Sequence, residues 1–190
     1  MIAKNSNRPY LVQSFLEESA RRLPSKVALI CDKKRLTYME IDERANRVAR
    51  FLRQSGVQRQ DRVAILLENS AESVIGMFAI LKADAIFIIL SPSMKSQKLL
   101  YILNDCQVKV LFTHTDKLEI VSAVSGSAPS LSSVIFVGEK DKIPRDSVPV
   151  GIPWNEMDAP CALSLAPSIV HPRPSSLAPR HSALHLRILI

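Results

Sequence analysis

Glycine, cysteine and aromatic residues are all scarce in this chain of 190 residues, and each scarcity removes a class of function. Five glycines leave little material for loops whose successive backbone N–H groups close on a phosphate. The three cysteines, Cys31, Cys106 and Cys161, are far apart and odd in number, with no Cys-x-x-Cys pair. That pattern argues against a disulfide framework and against a thiolate metal site. Cys31 and Cys106 adjoin apolar positions and read as small buried thiols, with no neighbouring base to make either a nucleophile. Aromatic residues make up 5% and are not interleaved with basic ones, so the formal charge of +7 lacks the stacking partners of a base-binding surface. A solvated basic surface is the expectation, with no nucleic-acid partner. The most hydrophobic region, residues 76–90, is interrupted by Lys82 and Asp84 and is too short to span a bilayer. Residues 1–8 lack the apolar core of a signal peptide, so a cytoplasmic protein without a membrane span is expected.

Helical and strand patterns alternate through the chain, which predicts an α/β fold with a mainly parallel sheet flanked by helices. Residues 11–22 read as a helix with Phe15, Leu16 and Ala20 inward, stopped before Pro24. A short strand at 27–30 turns through Asp32 into a second at Arg35 and Leu36. Thr37 followed by Glu40 predicts a capping box, opening a helix with Ile41, Ala45, Val48 and Leu52 on one face and Gly56 as its left-handed stop. Arg62 followed by the unbroken apolar run 63–67 reads as a buried parallel strand. Asn69 with Glu72 predicts a second capping box, and Val74, Met77, Phe78 and Leu81 an inner helix face. A buried strand at 85–90, a helix at 95–104, and strands at 108–112 and 134–137 complete the pattern.

Residues 159–190 are a different kind of sequence. They contain no Asp, Glu, Lys, Gly or aromatic residue, but five prolines, five serines and three of the four histidines. Such a composition predicts a disordered tail behind a domain ending at 158. His171, His181 and His185 have no zinc-site spacing to one another or to Cys161.

Two runs carry a family resemblance. The first is Leu36-Thr37-Tyr38-Met39-Glu40-Ile41 followed by Arg44-Ala45-Asn46-Arg47-Val48-Ala49. The second is Val63-Ala64-Ile65-Leu66-Leu67-Glu68-Asn69-Ser70, then Gly76-Met77-Phe78-Ala79-Ile80-Leu81-Lys82-Ala83, then Leu90-Ser91-Pro92-Ser93. Their order and spacing resemble the N-terminal region of adenylate-forming enzymes, the AMP-forming acyl-CoA synthetases and the adenylation domains of peptide synthetases. The resemblance covers roughly residues 10 to 157.

It implies an enzyme that activates a carboxylic acid, such as a fatty acid, with ATP and magnesium. The acyl group then passes from an acyl-adenylate to the thiol of coenzyme A or a carrier protein. The family's phosphate loop, rich in Ser, Thr and Gly and ending in Pro-Lys-Gly, is due after Trp154-Asn155-Glu156, where the composition changes instead. A frameshift, an alternative exon or a damaged gene is one expectation for that change. Ser125-Gly126-Ser127 is followed by no second glycine and no lysine, and reads as a plain loop. The family pattern also departs at Asp84, where glycine is usual, and at Ile88-Ile89-Leu90, where a proline is usual. The chain therefore reads as a truncated acyl-CoA ligase, inactive alone, with no catalytic, cofactor-binding or metal residue assigned. The alternative is a non-catalytic interaction module, or one half of an adenylation domain that pairs with a complementing C-terminal half.

Overall fold

A computed structural model describes residues 11–143 and 149–158. The first helix, α1 (Val12–Arg22), stops before Pro24 and leads into an antiparallel ribbon of β1 (Val27–Cys31) and β2 (Lys34–Thr37). The capping box forms as expected. Glu40 N–H donates to Thr37 Oγ1 at 3.2 Å, and Thr37 N–H donates to the Glu40 carboxylate at 2.7 Å. It starts α2 (Tyr38–Gln54), which buries Ile41, Ala45, Val48 and Leu52 and is followed by Gly56 at φ +87°.

The rest is doubly wound: β3 (Arg62–Leu66), α3 (Ala71–Lys82), β4 (Ile86–Ile89), α4 (Ser96–Asp105), β5 (Val108–His114), α5 (Leu118–Ser125), β6 (Ser133–Val137), β7 (Val150–Pro153) and α6 (Trp154–Asp158). The five later strands form one parallel sheet in the order β4-β3-β5-β6-β7. Alternate side chains of each strand serve opposite faces. Val63, Ile65, Val110 and Phe112 pack under α2, α3 and α6, whereas Ala64, Leu66 and Leu111 pack under α4 and α5. The predicted α/β architecture with a parallel sheet flanked by helices is thus the one observed.

Several local expectations are corrected. Phe15 is 62% exposed rather than inward, while Leu16 and Ala20 are buried. Ser70, not Asn69, caps α3, by accepting the Ser73 N–H at 3.1 Å, and Glu72 pairs instead with Lys34 at 3.0 Å. The buried face of α3 is Ile75, Gly76, Ala79 and Ile80, one residue round from the predicted stripe; Val74, Met77, Phe78 and Leu81 are half-buried. The strand expected to be buried at 85–90 is an edge strand, with Ile86 and Ile89 48% and 63% exposed. Cys31 and Cys106 are half-buried. The helices α5 and α6 and the strand β7 were not anticipated. The expected disordered tail, with Cys161, His171, His181 and His185, lies outside the described residues.

Among the described residues, four other than glycine take left-handed backbone angles: Asp32, Gln60, Asp84 and Gln107, with φ between +49° and +67°. Asp84, at the position where glycine is usual in the family, holds the turn between α3 and β4 with φ +60°.

Candidate functional site

In an open parallel sheet, ligands settle outside the carboxyl ends of the strands where the winding reverses. Here the chain runs from β3 outward to β4, then returns past β3 to β5, so the reversal lies between β3 and β5. Thr113, fully buried, ties the two strands together there by donating from Oγ1 to the Leu66 carbonyl at 3.2 Å. Beyond β3 the chain exposes Glu68 and Asn69 before Ser70 caps α3. His114, the last residue of β5, and Asp116 just beyond it are exposed on either side of buried Thr115.

His114 Nδ1 lies 3.3 Å from the Asp116 backbone nitrogen and 3.1 Å from its carboxylate. A neutral ring accepts from that N–H; a protonated ring donates to the carboxylate. Gly138, after β6, sits at φ +119° and leans on the same corner. A Cβ there would come 3.1 Å from His114 Nε2 and closer still to the Thr115 hydroxyl, so only glycine fits.

The described residues at this edge do not fit the nucleotide implied by the resemblance. The hydroxyl of Ser70 already serves the Ser73 N–H, and the Asp116 N–H is taken by His114. Lys117 leans back on Asp116 at 3.9 Å. Ser125-Gly126-Ser127 lies at the opposite, amino end of the strands, just before β6. Ser125 Oγ is committed to the Val121 carbonyl at 2.6 Å and Ser127 N–H to Val124, so no phosphate cradle forms there. Among the described residues no group of three or more His, Cys, Asp and Glu side chains is placed to hold a metal ion.

The flanking helices carry structural charge at both ends of the sheet. Lys82 is buried between Glu17 at 2.7 Å and Asp42 at 3.0 Å, stitching α1, α2 and α3 together. Asp42 Oδ1 lies off the line of a hydrogen bond and has no other donor, so the contact is an ion pair only. Arg47 and Arg44 grip Asp158 at 3.0 Å and 3.3 Å, and Arg47 also donates to its carbonyl, which pins the end of α6 to α2. Trp154 meets Phe112 edge to face with ring centres 5.8 Å apart. Burial pushes the Glu72 carboxyl up, but its hydrogen bond to Lys34, a backbone N–H and the charges of Lys34 and Arg44 outweigh that and hold it below its usual value. Glu40 is likewise lowered, first by the Thr37 N–H.

A family model described as AMP-binding enzyme matches residues 16–181. The chain belongs to this family. Among curated AMP-binding relatives, Tyrocidine synthase 2 of Brevibacillus parabrevis is 35% identical over 138 residues, 73% of this chain and 4% of that protein. Zwittermicin A synthase ZmaJ of Bacillus cereus is 35% identical over 133 residues, 70% of this chain and 25% of that protein. The solved structure of the anthranilate CoA ligase AuaEII in complex with anthranoyl-AMP superposes with a TM-score of 0.71 at 28% identity, covering 84% of this chain and 30% of that one. The chain thus spans less than a third of each of these relatives. The family's adenylate-forming character is legible in the two motif runs, whereas the arrangement at the β3–β5 reversal depends on a strand order that no local pattern records.

Proposed function

We propose that this chain is the N-terminal part of an adenylation domain of the peptide-synthetase kind, and that it works with the remaining two thirds of such a domain. The joint reaction is carboxylate plus ATP to acyl-adenylate and pyrophosphate, followed by transfer of the acyl group to a carrier-protein thiol. The observation that carries this reading is the 35% identity to Tyrocidine synthase 2 across 73% of the chain. The described residues supply scaffold to that reaction. The sheet edge between β3 and β5, the capped start of α3 and the clamped end of α6 set the positions from which a nucleotide site is completed by other polypeptide. No helix among the described residues is long and apolar enough to cross a membrane.

A second reading, an acyl-CoA ligase acting on a fatty or aryl acid with coenzyme A as acceptor, is favoured by the likeness to AuaEII. ATP–pyrophosphate exchange separates the possibilities. The chain alone, with magnesium and panels of amino, aryl and fatty acids, should give background exchange. Mixed with the remainder of a relative such as ZmaJ, it should give exchange with amino acids. Exchange by the chain alone contradicts the scaffold role, and exchange with fatty or aryl acids only moves the assignment to the second reading.

A further inference from the structure

A cleft of about 680 Å³ opens at the amino end of the sheet, between the start of β3, the end of α4, the start of β5 and the loop behind α5. It lies away from the β3–β5 edge described above. Arg62 opens β3 at the cleft and Leu66 closes it at that edge, about 13 Å along an extended strand. The side chain that sets the character of the cleft is Lys109, a cation in a strand where Val108, Val110, Leu111 and Phe112 are buried. The register of β3 on β5 pairs Arg62 with Val108 and then Val63 with Val110, so Lys109 is the extra residue of a bulge. A bulge re-aims a side chain out of the regular alternation of its strand. Ser132 holds the backbone there, its N–H and its hydroxyl both donating to the Lys109 carbonyl, at 2.9 Å and 3.0 Å. Lys109 is half-buried and forms no ion pair among the described residues.

Arg62 adds a second cation to the wall. Its guanidinium donates to the carbonyls of Gln60, Cys106 and Gln107 and to the Gln107 amide oxygen, at 2.6–3.3 Å, and pairs with no carboxylate among the described residues. The one carboxylate in the lining is Asp61, which accepts the Gln58 N–H at 2.8 Å. Two cations against one carboxylate leave a positive surplus, which favours an anionic group. Asn104 donates from Nδ2 to the Ser127 carbonyl at 3.0 Å and so joins two sides of the cleft. Ser130 lines it too, and its hydroxyl is shielded without a hydrogen-bond partner among the described residues, a donor that the fold leaves uncommitted. Pro129 is the single apolar residue of the lining, so a hydrophobic ligand gains little here. The Ser127 N–H is taken by Val124, so a ligand is met by side chains and not by a backbone cradle.

We infer from this arrangement that the cleft binds a phosphorylated polyol, such as a sugar phosphate. A phosphate drawn to the Lys109 ammonium lies in the field of Arg62, and the Ser130 hydroxyl supplies a donor once its χ1 turns toward the cleft. Asp61 repels a second anionic group and accepts hydrogen bonds from the hydroxyls of the polyol. The volume falls inside the range of about 300–1,000 Å³ usual for small-molecule sites. The inference stands apart from the reading of the chain as part of an adenylation domain.

The experiment titrates glucose 6-phosphate, ribose 5-phosphate and glycerol 3-phosphate into the full chain by calorimetry at fixed ionic strength, with glucose and inorganic phosphate as separate arms. At least one of the three phosphorylated polyols should bind saturably and more tightly than either glucose or inorganic phosphate. Lys109→Met should weaken that binding by about tenfold or more, as expected for a lost charge-assisted hydrogen bond, and Lys109→Arg should keep most of it. Asp61→Asn should weaken the phosphorylated polyol but not inorganic phosphate. Lys98→Met, exposed on α4 and outside the lining, should change nothing. If Lys109→Met alters the circular dichroism, the Asp61→Asn split between the two ligands carries the test. Absence of saturable binding by all three polyols overturns the inference, and so does binding that is indifferent to Lys109→Met in a folded variant. Inorganic phosphate bound as tightly as the polyols refutes the polyol, and glucose bound as tightly refutes the anion.

Discussion

Gly76 offers a test of the packing that seats α3 on the sheet. It lies mid-helix, in one of the two motif runs, where glycine costs about 1 kcal/mol relative to alanine. The structure gives the reason it is tolerated. A Cβ at this position would sit 2.9 Å from two ring carbons of Phe112, inside any normal contact distance. Phe112 is fully buried and cannot swing away into solvent. Gly76→Ala therefore gains about 1 kcal/mol of helix propensity and loses about 2–3 kcal/mol to overpacking. The expected net loss is about 1–2 kcal/mol, a fall in melting temperature of about 2–8 °C for a chain of this size. The single tryptophan, Trp154, touches Phe112 edge to face, so its emission reports the disturbed ring directly. Urea titration by tryptophan fluorescence and by far-ultraviolet dichroism measures both effects. Adding Phe112→Leu should recover part of the loss. An alanine variant as stable as the parent, with unchanged emission, would refute the account of why glycine stands there.

Other outcomes follow from the charge network and the caps. Lys82→Met leaves the shielded Asp42 carboxylate without its cation and should cost about 2–3 kcal/mol in urea unfolding, somewhat below a fully buried pair because Glu17 is partly exposed; Lys82→Met with Asp42→Leu should recover most of it. Thr37→Ala breaks the capping box at the start of α2 and should cost about 1 kcal/mol by the same assay. Glu72 has a folded-state carboxyl held below its ordinary 4.5, so its contribution is present above that value and fades as pH falls through it. Glu72→Gln should thus be less stable than the parent at pH 7, with the gap closing as pH falls below 4.5 through the lowered folded-state value, and Lys34→Met should shrink the gap at neutral pH.

What was legible in the sequence was whatever depends on near neighbours. Thr37 and Glu40 are three residues apart, so the box that joins them is visible in a short window. Asn69 and Ser70 are both good caps by residue type, so the sequence does not decide between them, and in the fold it is Ser70 that accepts the Ser73 N–H. Glu72 was assigned to a local box because its true partner, Lys34, is 38 residues away on the ribbon. The apolar run ending β4 announces a strand but not its place at the sheet edge, which depends on where β5 inserts. Gly151 and Pro153 weaken the strand signal of β7; Pro153 is tolerated at the last position of an edge strand. The candidate site was the least legible part, since Thr113 meets Leu66, and Gly138 meets His114 and Thr115, only through strand order.

The left-handed turns at Asp32, Gln60, Asp84 and Gln107 carry a consequence for how this fold can change over generations. Each holds a side-chain-bearing residue where the backbone costs about 1 kcal/mol or more relative to glycine. Gln60 and Asp84 share the load, since the Gln60 N–H donates to the Asp84 carbonyl at 2.8 Å and joins the two turns. In a chain so poor in glycine, these four sites form an untapped margin of tolerance. A single-codon drift from Asp to Gly at position 32 or 84 relaxes strain and offsets a damaging core substitution elsewhere. Gln60 and Gln107 lie more than one nucleotide from a glycine codon, so mutational distance makes their share of that margin slower to reach.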